Sequence, residues 1–364
     1  MKFLGENSFY QDKTILITGH TGFKGSWLSI WLIELGAKVI GYSLAPATPK
    51  DNYVLTGLHN RLIDVRGDIM DKEKLDETIL KYQPDIIFHL AAQPLVRLSY
   101  EKPIETWEVN VIGTMNVLDA MKKCSKTKVG IFITTDKCYE NKEQLWGYRE
   151  SDPMGGYDPY SSSKGAAEIA ISSWRRSFFN PKEYEKHGKS IATVRAGNVV
   201  GGGDWAIDRI IPDCIRALEN NEPIKIRNPK AIRPWQHVLE PLGGYLLLAE
   251  KMWYEPTKYC EGWNFGPRPE SISSVWEIAT KIIAYYGKGE LKDLHNSSNL
   301  HEATLLTLDI SKAQFLLNWK PKMNINQTIE LTVDWYKRYK EEDVYTICRK
   351  QIFEYMNLTS PDII

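Results

Sequence analysis

The sequence predicts an α/β protein in which a doubly wound parallel sheet carries a smaller mixed α/β lobe. Three observations predict it. Short apolar runs alternate with helical patterns through the first 200 residues, spaced glycines follow the first run, and a Gly-, Pro- and Trp-rich region begins after Val200. Because continuous apolar strands alternating with helices are typical of parallel sheets, residues 1–200 are predicted to form one domain.

The elements follow in order along the chain. Strands are predicted at 14–18, 38–42, 85–90, 129–134 and 191–195, and helices at 26–35, 104–123 and 161–177. Further helical patterns lie at 242–253, 275–286 and 325–340. Residues 201–364 are therefore predicted to form most of the second lobe, with a return of the chain to the first domain at about 236–250.

Charge and composition exclude several classes of protein. Lys plus Arg and Asp plus Glu both number 46 in 364 residues, so the chain has no basic excess and nucleic-acid binding is not expected. No stretch approaches the roughly 20 apolar residues of a membrane span. The five cysteines are scattered and form no CxxC, so neither a disulfide framework nor a metal site is expected, and a reducing, cytoplasmic location is favoured.

A glycine loop follows the first strand and opens the first helix. Gly19, Gly22 and Gly25 have the spacing GxxGxxG. They permit a tight turn, close backbone approach to a pyrophosphate, and helix–strand packing, while the helix N-terminus offers free N–H groups to phosphates. This context predicts a dinucleotide-binding Rossmann domain; the alternative is a β–α turn without a ligand. The predicted contacts are Gly19, His20, Thr21, Gly22, Phe23, Lys24 and Gly25.

The second strand suggests which dinucleotide is bound. It ends Gly41-Tyr42-Ser43, with no arginine to hold a 2′-phosphate, so NAD is favoured over NADP. Asp68 could contact the adenine or could equally cap the following helix. Further predicted cofactor contacts follow two other strands: Ile69, Leu90, Ala91 and Ala92.

A tyrosine and a lysine stand one helical turn apart at Tyr160 and Lys164. An ammonium group beside a phenol favours the phenolate, which can then act as a base. The YxxxK pattern also occurs at Tyr254 and at Tyr336, but only Tyr160 follows a predicted sheet strand and opens a helix after a proline.

Thr135, Asp136 and Lys137 follow the apolar strand at 129–134. The carboxyl ends of parallel strands face the ligand crevice, so these three residues are predicted to lie beside Tyr160. The alternative is an ordinary β–α turn with surface charges.

Together these motifs resemble the extended short-chain dehydrogenase/reductase family, and more narrowly the nucleotide-sugar 4,6-dehydratases, over nearly the whole chain. The motifs occupy residues 18–27, 135–141, 160–164, 197–205 and 233–237. Related epimerases carry small residues at the position of Asp136-Lys137, and dTDP- and GDP-sugar dehydratases typically have Asp-Glu. The resemblance therefore implies CDP-glucose as the substrate.

The resemblance implies a reaction and roles for residues. Tyr160, supported by Lys164, would take the 4-hydroxyl proton as hydride leaves for NAD, and Thr135 would hydrogen-bond that hydroxyl. Asp136 would protonate the departing 6-hydroxyl, and Lys137 would act as the C5 base or stabilise the enolate. The implied substrate contacts are Gln93, Thr135, Asn198, Arg209, Arg233, His237 and His301.

The resemblance also implies a homodimer or dimer of dimers through helices 104–123 and 161–177, and a role in O-antigen or other deoxysugar synthesis. Three alternatives stay open. They are a 4-epimerase or a dehydratase of another nucleotide sugar, a non-catalytic NAD-binding scaffold, and a dehydrogenase that releases its reduced cofactor.

Overall fold

A seven-stranded parallel sheet forms the centre of the molecule. The computed structural model describes residues 8–294 and 305–359. The strands, β1 to β13 in chain order, are Thr14–Thr18, Lys38–Ser43, Ile63–Arg66, Ile86–His89, Val129–Ile133, Ser190–Arg195, Val199–Val200, Ile224–Ile226, Ile232–Pro234, Gln236–His237, Gly262–Asn264, Ile272–Ser274 and Leu291–Asp293. The sheet order is β3-β2-β1-β4-β5-β6-β11, which confirms the predicted doubly wound fold.

The register of the sheet aligns the ends of its strands. Thr18 at the end of β1 lies opposite both Tyr42 and His89, and Ile133 at the end of β5 lies opposite Val194. The loops that follow these strands therefore meet at one edge of the sheet. The glycine loop and the segment after β5 are both among them.

Helices cover both faces of the sheet. In chain order, α1 to α14 are Phe23–Glu34, Asn52–Leu55, Lys72–Tyr82, Val96–Glu101, Pro103–Trp107, Thr114–Lys123, Pro159–Ser177, Tyr184–His187, Ile210–Glu219, Leu239–Tyr254, Val275–Tyr286, Ser311–Leu317, Ile325–Arg338 and Val344–Asn357. One large buried cluster joins α1, α10 and the sheet to the second half of the chain, and a smaller one lies on the other face. None of the helices within 8–294 and 305–359 is long and apolar enough to cross a bilayer.

The structure holds more elements than the sequence analysis predicted, and three of the differences bear on the site and its support. The predicted helix 104–123 contains a π-helical segment, Glu108–Gly113, within which the Asn110 amide turns inward and donates to Gln93 O and Ser163 Oγ. Strand β11 was not predicted. Helix α14 was not predicted either, and its Tyr345 and Arg349 side chains bond Glu34 at the end of α1.

The second half of the chain returns to the sheet in more than one place. Helix α10 packs against β5 and β6, and α14 packs against α1. The division at about residue 200 with a return at 236–250 stays a prediction.

Candidate active site

A cavity of about 1560 Å³ lies at the carboxyl ends of the sheet strands. Its walls are the glycine loop, the loops after β2, β3 and β4, the segment after β5, the start of α7 and residues 196–212. The predicted cofactor and catalytic motifs therefore open into one space. This is the position where doubly wound folds bind ligands.

The glycines of the loop serve two purposes: Gly19 and Gly25 allow close packing within the protein, and Gly22 leaves room for a ligand. A Cβ on Gly19 would lie 2.7 Å from Ala91 N, and one on Gly25 would lie 2.1 Å from Gly19 O, so the protein's own packing excludes side chains there. Gly19 also has φ +76°. A Cβ on Gly22 would meet only Gly19 O, at 3.4 Å, and Gly22 faces the cavity at the start of α1. The open space at Gly22 is suited to the close approach of a phosphate.

His20 and Lys24 in this loop have different surroundings. The His20 ring is buried against Gly41, outside the cavity lining, and its Nε2 lies 3.0 Å from Asp64 Oδ1. Burial lowers the pKa of His20 to about 4. Lys24 lines the cavity. Burial, and to a smaller extent the positive charge of Arg209, lower the pKa of Lys24 to about 8. Only Lys24 of these two side chains can reach a ligand.

The other predicted cofactor contacts also line the cavity. Ser43 Oγ lies 2.8 Å from Thr21 Oγ1, and Asp68 Oδ1 accepts from Met70 N at 2.9 Å. Asp68 thus closes a local turn and lines the cavity as well, while the cap of α3 is Asp71. The remaining predicted contacts at the lining are Phe23, Ile69, Leu90, Ala91 and Ala92.

Helix α7 brings Tyr160 and Lys164 to the cavity. Pro159 occupies its first turn and Asp158 caps it, accepting from Ser161 N at 2.9 Å. Lys164 Nζ donates to Ile133 O at 3.4 Å, and burial lowers the pKa of Lys164 to about 8. Burial raises the pKa of Tyr160 to about 12, against the opposing effects of Thr135 and Arg209. The sequence predicts that Lys164 lowers the pKa of Tyr160. In the structure, burial outweighs any such effect, and the pKa of Tyr160 is raised.

The turn after β5 faces Tyr160. Thr135 Oγ1 donates to Asp136 Oδ1 at 3.0 Å, and the Thr135 side chain lowers the pKa of Tyr160 against the larger effect of burial. Asp136 is buried against Gly197, where a Cβ would lie 1.7 Å from Oδ2. Within the described part of the chain, Asp136 Oδ2 has no hydrogen-bond partner. Lys137 is half-buried and also lines the cavity.

Four of the predicted substrate contacts line the cavity, at Thr135, Asn198, Arg209 and Arg233. Asn198 has φ +47°. Arg209 precedes α9 and bonds Asp204 Oδ2 at 2.8 Å; chiefly for that reason its pKa lies above its ordinary range. A guanidinium group on this wall could meet an anionic part of a ligand.

Two other predicted substrate contacts do not line the cavity. Gln93 bonds Thr106 Oγ1 at 2.9 Å and Leu95 N at 2.6 Å, so it holds its own loop against α5. His237 is fully buried beside Trp27, and burial lowers its pKa to about 3. Both side chains therefore lie in the protein interior, away from the cavity. His301 lies outside the described residues.

The structure adds residues that sequence reasoning missed. Asp204 and Trp235 line the cavity. They lie in the motifs at 197–205 and 233–237, from which the sequence analysis selected only other residues as contacts. Glu168 lies one helical turn after Lys164 and forms a buried ion pair with Arg195. The spacing of Tyr160, Lys164 and Glu168, four residues apart on one helix face, was the available signal.

The wall between Gly19 and Lys164 fits a dinucleotide. The glycine cradle at the start of α1 suits a diphosphate, and the loops that end β2 and β3 suit an adenosine. Tyr160 and Lys164 lie in the same cavity, where a nicotinamide would reach.

Comparison with known proteins places this arrangement in a family. The GDP-mannose 4,6 dehydratase family matches residues 16–332. A CDP-glucose 4,6-dehydratase from Salmonella typhimurium is 49% identical over 98% of this chain and 99% of its own length. A CDP-paratose 2-epimerase from Salmonella typhi is 27% identical over 88% and 98%.

Solved structures share the fold. A dTDP-glucose 4,6-dehydratase from Bacillus anthracis in complex with NAD has a TM-score of 0.75 at 20% identity, covering 90% of this chain and 98% of that one. A UDP-glucose 4-epimerase from Thermotoga maritima has a TM-score of 0.74 at 22% identity, covering 90% and 100%. With a family match across most of its length and a close full-length relative, the chain belongs to the GDP-mannose 4,6-dehydratase family of extended short-chain dehydrogenases/reductases.

Proposed function

We propose that this protein is an NAD-dependent CDP-glucose 4,6-dehydratase, which converts CDP-glucose to CDP-4-dehydro-6-deoxyglucose and water. The observation that carries the proposal is that one cavity joins the glycine loop, Tyr160 and Lys164, and the turn with Asp136. The choice of CDP-glucose is supported by the 49% identical relative and by Lys137 beside Asp136.

The glycine loop would hold the cofactor's diphosphate, and Ser43 and Asp68 line the space for its adenosine. When bound, NAD supplies a hydride acceptor that later returns the hydride, so the reaction has no net redox change. Tyr160 would remove the proton from the sugar 4-hydroxyl, and Thr135 would orient that hydroxyl. Because burial raises the pKa of Tyr160 to about 12, the ammonium of Lys164 is needed on the same helix face to favour the phenolate.

Water loss would then use the turn after β5. Asp136 has one carboxyl oxygen held by Thr135 and the other without a partner among the described residues, so in the protonated form of Asp136 the second oxygen would carry the proton that leaves with the 6-hydroxyl as water. Lys137, beside it, would remove the C5 proton or stabilise the enolate. Burial of Asp136 away from bulk water favours proton transfer to the sugar rather than to solvent.

Product analysis by mass spectrometry tests this function. The purified protein is incubated with NAD and, separately, with CDP-glucose, dTDP-glucose, UDP-glucose and GDP-mannose. Loss of one water from CDP-glucose alone, without accumulation of reduced cofactor, is the expected result. An isomer of unchanged mass would indicate an epimerase, and water loss from another nucleotide sugar would preserve the chemistry but change the substrate.

We further infer that the enzyme is a cytoplasmic homodimer. Helices α5 to α7 leave apolar side chains exposed, including Ile104 at 70% and Ile169 at 59% of their surface, which is typical of a helical interface. All five cysteines are free thiols in buried positions, in keeping with a reducing compartment. Light scattering of the wild type beside Ile169→Glu tests the dimer: a wild-type monomer would contradict it.

A further inference from the structure

A buried ion pair lies beneath the turn after β5. The side chains of Glu168 on α7 and Arg195 on β6 are only 4% and 5% exposed. Glu168 Oε1 accepts from Thr134 Oγ1 at 2.5 Å and Arg195 Nε at 2.8 Å. Its Oε2 accepts from Thr193 Oγ1 and Arg195 Nη2, both at 2.8 Å. Four donors on one carboxylate leave both of its oxygens satisfied.

The ion pair contacts both ends of the turn. Thr134, bonded to Glu168, is the residue immediately before Thr135 and Asp136. Arg195 Nη1 donates to Tyr139 OH at 2.6 Å, and Tyr139 OH donates to Asn264 Oδ1 at 2.7 Å. The residues on either side of 135–138 are therefore both hydrogen-bonded to the same ion pair, Thr134 to Glu168 and Tyr139 to Arg195.

The same carboxylate also faces the other half of the site. Glu168 follows Lys164 by one turn of α7, and its charge raises the pKa of Lys164 against the larger effect of burial. Thus one buried group touches the turn that carries Asp136 and influences the helix that carries Tyr160 and Lys164.

Stability alone does not require such a pair. Apolar residues of similar volume often replace a buried ion pair without loss of stability, whereas a fully bonded polar network fixes one arrangement of the elements it joins. We infer that Glu168 and Arg195 are positioning residues, which fix the turn at 134–139, and with it Asp136, relative to Tyr160 on α7. The inference rests on the proposed function, because it assigns the turn to the elimination of water.

A matched pair of substitutions tests it. Thr134→Val and Thr193→Val each delete one hydroxyl donor to the same carboxylate and keep its charge, but only Thr134 belongs to the turn. We expect similar falls in Tm for both. Thr134→Val should lower kcat by about 10- to 100-fold with KM within about 2-fold, since misplacement by an ångström costs on the order of 10²-fold. Thr193→Val should keep kcat within about 3-fold.

The stage at which the reaction stalls gives a second readout. Rapid quenching followed by mass spectrometry should show the 4-keto sugar nucleotide, not yet dehydrated, accumulating in Thr134→Val and not in Thr193→Val. Equal losses of kcat in both variants, or no loss in either, would overturn the positioning role. Tyr139→Phe, which breaks the other anchor, should repeat the Thr134→Val result and decides the matter if Thr134→Val does not fold. Absence of dehydration by the wild type would instead refute the proposed function.

Discussion

The two walls of the cavity are built in opposite ways. The glycine loop, residues 19–25, depends on the absence of side chains, since a Cβ at Gly19 or Gly25 would collide with backbone. The turn at 134–139 works through charged and polar side chains, nearly all of them buried. Its anchors, Glu168, Arg195 and Asn264, come from α7, β6 and β11, far away along the chain.

This difference separates local from long-range determinants of a site. Backbone room for a phosphate at Gly22 depends on neighbours within a few residues, so it survives changes elsewhere that preserve the strand and helix. A buried acid in a defined position needs neighbours that satisfy or exclude every other polar atom. Substitutions on the two walls should therefore fail differently: the loop in cofactor affinity, and the turn in turnover.

The largest effect is expected on the turn side, from Tyr160→Phe. Removing the hydroxyl should lower turnover by about 10²- to 10⁴-fold, because proton removal from the 4-hydroxyl loses its base. Steady-state kinetics with CDP-glucose measure it. Tyr254→Phe is the matched control, because Tyr254 has the same YxxxK spacing but is 68% exposed and outside the cavity. Retained turnover in Tyr160→Phe would refute the role as base.

Asp136→Asn should separate the two halves of the reaction. The amide cannot protonate the departing hydroxyl, so water loss should fall by about 10²-fold or more while oxidation at C4 stays detectable. The measurement is the ratio of keto sugar to dehydrated product in quenched samples. Asp71→Asn, which keeps a good helix cap outside the cavity, should behave as the wild type. Normal dehydration by Asp136→Asn would show that another group is the acid.

In the glycine loop, Gly22→Ala and Gly19→Ala should differ in their effects on cofactor affinity and on thermal stability. Gly22→Ala should weaken cofactor binding by about tenfold, a change of roughly 1.4 kcal/mol, with Tm unchanged, because its Cβ intrudes on the cavity and not on the protein. Gly19→Ala should also lower Tm, since its left-handed φ costs about 1–2 kcal/mol in addition to the collision with Ala91. Titration calorimetry and thermal unfolding measure the two effects. Equal falls in Tm would contradict the distinction.

The pH dependence of turnover should show a limb near pH 8. Burial lowers the pKa of Lys164 to about 8, so its ammonium is present below that pH and is lost as pH rises through it. kcat/KM is therefore expected to decline above about pH 8. Lys24 has a similar pKa, but Lys24→Gln should leave the limb in place, whereas Lys164→Arg should remove it because arginine keeps its charge. A limb that follows Lys24 instead would overturn the assignment.

The last effect concerns stability, away from both walls, and is expected to leave turnover unchanged. Glu240 is buried and accepts from Met323 N at 2.6 Å and Tyr355 OH at 2.9 Å, and burial raises its pKa to about 7. The folded state therefore holds a proton that the unfolded state loses above about pH 4.5, so this contribution to stability declines as pH rises from there to about 7. Glu240→Gln should gain up to about 3 kcal/mol relative to the wild type between pH 5 and pH 8. Denaturant unfolding at both values measures it, and a constant difference would refute the shift.

Much of the fold and the site was predictable because it depends on local patterns. The strands at 14–18 and 129–133, helix α11 and the glycine loop are each specified by apolar periodicity and spacing within about ten residues. Tyr160 and Lys164 lie on one face because a helix turn separates them. The turn with Asp136 follows a buried strand, so its place at the sheet edge follows from the parallel topology.

Tertiary structure decided what depends on distant partners. Whether His20, Gln93 and His237 point into the cavity or into the interior depends on Gly41, Thr106 and Trp27, which no local pattern connects to them. Strand β11 is only three residues long and gains its place by pairing with β6. The sequence thus determined the fold class, the glycine loop and the candidate reactive groups through short-range geometry. The side-chain orientations and the Glu168–Arg195 anchor arose only from packing, because burial and hydrogen bonding between segments far apart in the chain set their energies.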